Sequence, residues 1–408
     1  MIKKLVVFGV FTVLATSQVI ANEIAVNCDA GESLSSAVAD AQEGASISVS
    51  GTCNELLVIT QDNITLDGAG TDAVNRATIT GQGLFPPASV ITANGIRGLH
   101  LKGLNIERGL HGISAKGAAS INVENVSIRQ NIVMGVLMSE KSLLVIKDSR
   151  VLSNGVTGLE IDGNSAVSAT GHVNVSDNNV FGFDILGNSS LTMSDADIKA
   201  NRNTIGIQIG IGSSAFIKDA NTTVETNENH SIGTTIVSGG TLFIFEGSLM
   251  ANNNGLRGIS AFTNSNIDLD RSGSITAIGN AEDGISLEDT IVNMFTMAGA
   301  AEPRLDVRDN GRYGVVALLN SRFDMSFGEL TVMNNGEAGF WADNGSAIRL
   351  LNATIKNNGD GSDLRLTFGA RAEINASDIG TVRCDKTVLV RGDSDVKCKK
   401  SKHHDDDD

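Results

Sequence analysis

Apolar positions along this chain recur in two short alternating runs separated by a three-residue step. Counting from the first apolar residue, the spacing is apolar, +2 apolar, +5 small or apolar, +7 apolar and +10 Asn. Ile121, Val123, Val126, Ile128 and Asn131 show it, and Leu144, Ile146, Ser149, Val151 and Asn154 repeat it. It returns at Leu191, Met193, Ala196, Ile198 and Asn201, at Leu242, Ile244, Gly247, Leu249 and Asn252, and at Ile348, Leu350, Ala353, Ile355 and Asn358. Looser copies end at Asn178, Asn227, Asn280, Asn310 and Asn335. Alternation by two puts apolar side chains on one face of a strand, so each copy predicts two strands meeting at a bend.

An Asn-x-x-x-Gly step follows many of the asparagines, for example 131/135, 154/158 and 178/182, and leads into a third alternating run such as Gly158-Leu159-Glu160-Ile161. Asn enters turn conformations cheaply and Gly admits a close turn. Each repeat therefore predicts one coil of three short strands, with the asparagines hydrogen-bonding from coil to coil. No coil buries its own apolar face, so the coils must stack. The fold class predicted is all-β: a single-stranded right-handed parallel β-helix, a solenoid with three strands per coil.

Open ends of such a stack expose unpaired strand edges. Ser33 to Gln42 carries the spacing of a short amphipathic helix, predicted as an N-terminal cap, and residues 380–398 are expected to cap the other end. Residues 1–21 read as a signal peptide: Lys3 and Lys4 precede the apolar stretch Leu5 to Ala15, and Ala21 supplies a small residue for cleavage. The domain organisation predicted is 1–21 signal peptide, 22–398 capped β-helix, and 399–408 a disordered charged tail. Localisation is then secreted, periplasmic or at the cell surface, with no membrane span.

Composition narrows the partners. The 408 residues include 45 Gly and only 3 Pro, which suits continuous ladders and tight turns. A formal charge of -16 repels nucleic acid at long range and favours cations, neutral glycans or basic partners. A monomer is expected. Four cysteines fit an oxidising compartment. They allow three pairings. Sequence proximity favours Cys28–Cys53 and Cys384–Cys398, one pair near each end, over a metal site.

The repeat resembles the pectin-lyase-like superfamily of right-handed β-helices over roughly residues 45–385. The opening Val26-Asn27-Cys28, then Gly51-Thr52-Cys53-Asn54-Glu55 and Ile64-Thr65-Leu66-Asp67-Gly68, is similar to the start of its exported members. The resemblance implies polysaccharide binding or processing, by a lyase or glycoside hydrolase if the protein is an enzyme. The sequence departs from those enzymes, because the Asp-Pro-His-Asp, Gly-His-Gly, Arg-Ile-Lys and Trp-Ile-Asp-His blocks are absent from the coil region. A non-catalytic surface or adhesive scaffold is the alternative.

On the strand after each Gly, the outward positions should stack. Glu160, Asp162 and Asp184 then form an acidic cluster across two coils. Such a cluster is a solvated acidic face, a Ca²⁺ site, or a pair of carboxyl groups close enough for retaining glycoside hydrolysis. No cofactor is required by the pattern, and Ca²⁺ is the one candidate. Phe262, Glu288, Trp341 and Asp343 are the candidate sugar contacts, as flat rings beside polar groups, unless a loop covers them. Phe216 and Phe243 fall at equivalent outward places on the next face. The six histidines, His172 among them, read as ordinary surface.

Overall fold

The computed structural model describes residues 23–68, 76–296, 300–359, 361–392 and 396–400. The expected signal peptide, and the expected tail beyond Lys400, lie outside these residues. The chain winds into a parallel β-solenoid of about 14 turns. One coil illustrates the plan: Met134–Met138 is strand a, Leu143–Lys147 strand b and Arg150–Leu152 strand c. Every strand pairs in parallel with the same strand one coil away, so Met134 aligns with Thr157 and Leu144 with Val167. At a strand spacing of ~4.8 Å, about 14 turns make a rod on the order of 65 Å long.

The interior is built from columns of the residues that the alternation singled out. On strand b one column runs Leu101, Val123, Ile146, Ala169, Met193, Ile217, Ile244, Leu269 and Met294 in register, each at most 1% exposed. On strand a the column Ile113, Val136, Leu159, Phe183, Ile207, Thr234 and Ile259 is likewise in register, each at most 2% exposed. Thr234 is the polar member there, 1% exposed, with its hydroxyl 3.3 Å from that of Thr226.

The asparagine ladder exists, with a correction to its membership. It passes through Asn131, Asn154, Asn178, Asn203, Asn229, Asn254, Asn280, Asn310, Asn335 and Asn358. From Asn154 onward the side-chain oxygen of each accepts the backbone N–H of the asparagine before it, at 2.9–3.1 Å. Asn201, Asn227 and Asn252 belong instead to a second, shorter column two residues earlier. There the backbone N–H groups of Asn227, Asn252 and Ile278 donate to the side-chain oxygens of Asn201, Asn227 and Asn252. The reason is a longer bend between strands b and c in those coils: Ala200, Thr226 and Ala251 occupy the same inward column as Val151 and Val175, and the ladder residue stands three places after each.

The N-terminal end is covered as expected. Helix α1, Leu34–Asp40, buries Leu34 and Val38 and is capped by the Ser33 hydroxyl, which accepts the Ser36 N–H. Glu55, from the first coil, accepts from Leu34 N–H at 3.0 Å, Ser35 N–H at 2.7 Å and the Ser33 hydroxyl at 3.0 Å. The disulfides are Cys28–Cys53 and Cys384–Cys398. Of the expected C-terminal cap, residues 380–392 and 396–398 are described, and within it Val382–Cys384 and Leu389–Arg391 continue the strand pairing of the coils. Lys399–Lys400 adds a strand to Arg383 and Cys384, because the disulfide folds the chain back beside that edge.

Candidate functional site

Face a carries the predicted acidic residues. Glu160 and Asp184 are register partners in successive coils, and Asp184 is followed by Gln208. Asp184 is only 5% exposed although it points away from the core, since the neighbouring side chains stand around it. Gln208 Nε2 donates to its carboxylate at 3.0 Å. Burial, then the charges of Asp184 and Asp162, push the Glu160 carboxyl up to about 7. Burial also pushes Asp184 up to about 6, opposed by the Gln208 hydrogen bond and helped by Asp162. The geometry is therefore a stacked carboxyl pair that retains a proton well above the usual range. Among the described residues no group of three or more His, Cys, Asp or Glu is arranged to hold a metal ion.

The aromatic residues predicted on face a have different surroundings. Trp341 packs against Tyr313 with ring centroids 5.1 Å apart, lies under the Arg365 guanidinium at 5.3 Å, and donates from Nε1 to the Thr367 hydroxyl at 3.0 Å. Asp343 is 6% exposed and accepts from Thr367 Oγ1 at 2.9 Å. Both are engaged within the protein, so a sugar must displace those contacts to reach them. Phe262 is 38% exposed and aligns with exposed Glu288 one coil on.

Face b holds a longer constellation that the sequence reading largely missed. Its central outward column is Ser168, Thr192, Phe216, Phe243, Asp268, Asn293, Asp324, Arg349, Glu373 and Arg391, continuous in register. Phe216 and Phe243 approach to 6.2 Å between centroids, and Phe243 stacks on Phe245 at 6.4 Å with 16° between planes. Lys218 sits 5.1 Å above the Phe216 ring and Arg271 4.2 Å above that of Phe245. Asn293 Nδ2 donates to Asp268 at 2.8 Å.

Toward the C-terminal end this face opens into a cavity of about 400 Å³. The flanking column there reads Arg322, Ala347, Arg371 and Leu389. A short side chain at Ala347 between two arginines leaves a notch. Arg349 bridges Asp324 at 3.4 Å and Glu373 at 3.3 Å, and hydrogen bonds from Arg322 and Ser326 join its Coulomb pull in holding the Asp324 carboxyl below its ordinary value despite burial. Among the described residues Arg371 has no acidic partner. The signal for this site was present in the sequence as Arg322, Arg349 and Arg371, one arginine in each of three successive coils. It was unreadable without the exact coil lengths, which vary between copies.

No protein-family model and no curated protein matches the chain. Solved structures do. The A-module of an Azotobacter vinelandii mannuronan C-5 epimerase aligns at 15% identity over 88% of this chain and 94% of its own, with a TM-score of 0.50. A periplasmic alginate epimerase aligns at 13% identity over 91% of this chain and 84% of its own, TM-score 0.44. A pectate lyase aligns at 13% over 70% and 80%, TM-score 0.42. The fold is that of the right-handed β-helix proteins of this type.

Proposed function

We propose that this protein binds an extended polysaccharide along face b, with the chain running parallel to the solenoid axis. The observation that carries the reading is the unbroken column Phe216, Phe243, Asp268, Asn293, Asp324 and Arg349, one residue per coil. Six such positions span about 24 Å at the ~4.8 Å strand spacing, close to one sugar per coil for an extended glycan. Rings suit stacking on sugar faces, and carboxylates, amides and guanidinium groups suit hydroxyl and acidic substituents. The mannuronan epimerase that shares the fold supports a polysaccharide ligand by analogy. On face a, Phe262 with Glu288 offers a smaller contact of the same kind. The two disulfides support an exported protein working in an oxidising compartment.

Binding rather than a named reaction is proposed. Affinity electrophoresis of the intact protein in gels containing alginate, polygalacturonate or a neutral glucan tests it. Retardation by at least one polymer, abolished by Phe216→Ala with Phe243→Ala and weakened by Arg371→Ala, is the expected result. Unaltered mobility in all three gels, or retardation indifferent to these changes, refutes the assignment. In that event the non-catalytic scaffold is the better reading.

A further inference from the structure

A second cleft, of about 480 Å³, lies at the bend between strands b and c, away from the strip on face b. It is lined by Arg76, Asn125, Asp148, Arg150, His172, Asn174, Asp197 and Lys199. Its centre is a column on strand c in which Arg150, Asn174 and Lys199 follow one another in register. A short residue between two long cations leaves a recess about two strand spacings, ~10 Å, from wall to wall.

The acidic groups around this recess are already engaged. Asp148 accepts the His172 backbone N–H at 2.9 Å, and its carboxylate fills the space that a side chain at Gly171 would occupy. Asp197 accepts from the His172 ring at 3.2 Å and from Thr223 Oγ1 at 3.3 Å. Arg76 donates to Asn125. Lys199 lies 3.7 Å from Glu225. Arg150, by contrast, is exposed and has no hydrogen-bond or ion-pair partner for its guanidinium among the described residues. The side-chain oxygen of Asn174 is covered and has no hydrogen-bond partner. An unpaired cation beside an amide side chain suits a ligand with both a negative group and a hydroxyl.

We propose that this cleft binds a hydroxylated anion, a sugar phosphate or a sugar acid, with its anionic group on Arg150 and a hydroxyl on the Asn174 side-chain amide. Lys199 closes the far wall, and the His172 ring, oriented by Asp197, forms the side. The site is independent of the polysaccharide strip, so either can fail alone.

The test is calorimetric titration of the intact protein at low ionic strength with glucose 6-phosphate, galacturonate, inorganic phosphate and glucose. Saturable binding of one or both sugar anions, with inorganic phosphate weaker and glucose silent, is expected. Glucose 6-phosphate and galacturonate separate a phosphate from a carboxylate preference. Arg150→Ala should weaken binding about tenfold, the worth of one charge-assisted hydrogen bond. Arg150→Lys should restore most of it, Asn174→Ala should narrow the gap between sugar phosphate and inorganic phosphate, and Arg371→Ala on face b should change nothing. Arg150 is exposed, so its variants keep the fold, and circular dichroism verifies this. No heat with either sugar anion, or affinities unmoved by Arg150→Ala, overturns the proposal.

Discussion

Asn178 shows what a single side chain contributes here. Its oxygen accepts both the backbone N–H and the side-chain N–H of Asn154, while its own amide donates to Val151 and Asn203. Replacing it with Ala leaves buried groups of the Asn154 residue without an acceptor. Asn178→Ala should therefore cost about 2–4 kcal/mol, read as a lower denaturation midpoint. Asn201→Ala, in the shorter column, should cost less, since Asn201 Oδ1 serves only the Asn227 N–H. The sequence made the ladder readable where the coil held one asparagine at the turn. It misled where two stood two residues apart, as at Asn201 and Asn203, because spacing alone does not say which of them turns inward. The stacked carboxyl pair was readable too, as Glu160 beside Asp184, but its burial was not. Folded-state values near 7 and 6 lie above the unfolded ones, so the pair's stabilising protonation is complete below about pH 4 and is lost as pH rises through 6 to 7. Thermal melts should show the wild type losing stability between pH 5 and 8, and the variant combining Glu160→Gln with Asp184→Asn should lose less over that interval.

Helix α1 is a short element that its own propensity does not sustain. Glu55 supplies what it lacks. Burial acts against the charged form, but hydrogen bonds from Ser35, Leu34 and Ser33 outweigh it and hold the Glu55 carboxyl below the usual carboxylate range. With a depressed folded value, this contribution is present above the unfolded carboxylate range and lost as pH falls through the folded value. Glu55→Ala should destabilise the cap by about 1 kcal/mol, seen as faster amide exchange in residues 34–40 at neutral pH, with the difference vanishing in acid. The amphipathic spacing predicted the helix, whereas nothing local predicted a partner twenty residues away. A serine column between strands a and b went unread for the opposite reason. In the column Ser142, Ser165, Ser189 and Ser213 the hydroxyl of each of the last three accepts the backbone N–H of the serine before it, at 3.1 Å, yet serine is too common in turns for the period to stand out.

On the scale of the whole molecule, one chain presents three faces of different chemistry. Face a holds the stacked carboxyl pair and the Tyr313–Trp341 contact, face b the rings and arginines, and face c the recess around Arg150. The solenoid was legible from the repeat, and so was the outward stacking of Glu160 on Asp184 on face a; the charged end of face b was not, because coil lengths differ and each change shifts what stacks on what. Net charge and local charge diverge as well. The molecule carries -16, while the face b cavity gathers Arg322, Arg349, Arg371 and Arg391 around two acids, Asp324 and Glu373. An acidic polymer bound there should be released as salt rises, whereas contact with the rings persists. Gel retardation by polygalacturonate, measured from low to physiological ionic strength, should fall accordingly.

The two ends of the rod are fastened differently, with mechanical consequences. A packed helix seals the first coil, but the last ladder strand among the described residues is only Lys399–Lys400 beside Arg383 and Cys384. Under tension between its termini in an optical trap, with disulfides reduced, the rod should peel from its C-terminal side. Each released coil, 23–30 residues by the spacing of the ladder hydrogen bonds, would lengthen the tether by roughly 8–10 nm at ~3.5 Å per residue. A ragged staircase of such steps, rather than one rupture, would be the mechanical signature of a chain that stores its stability coil by coil.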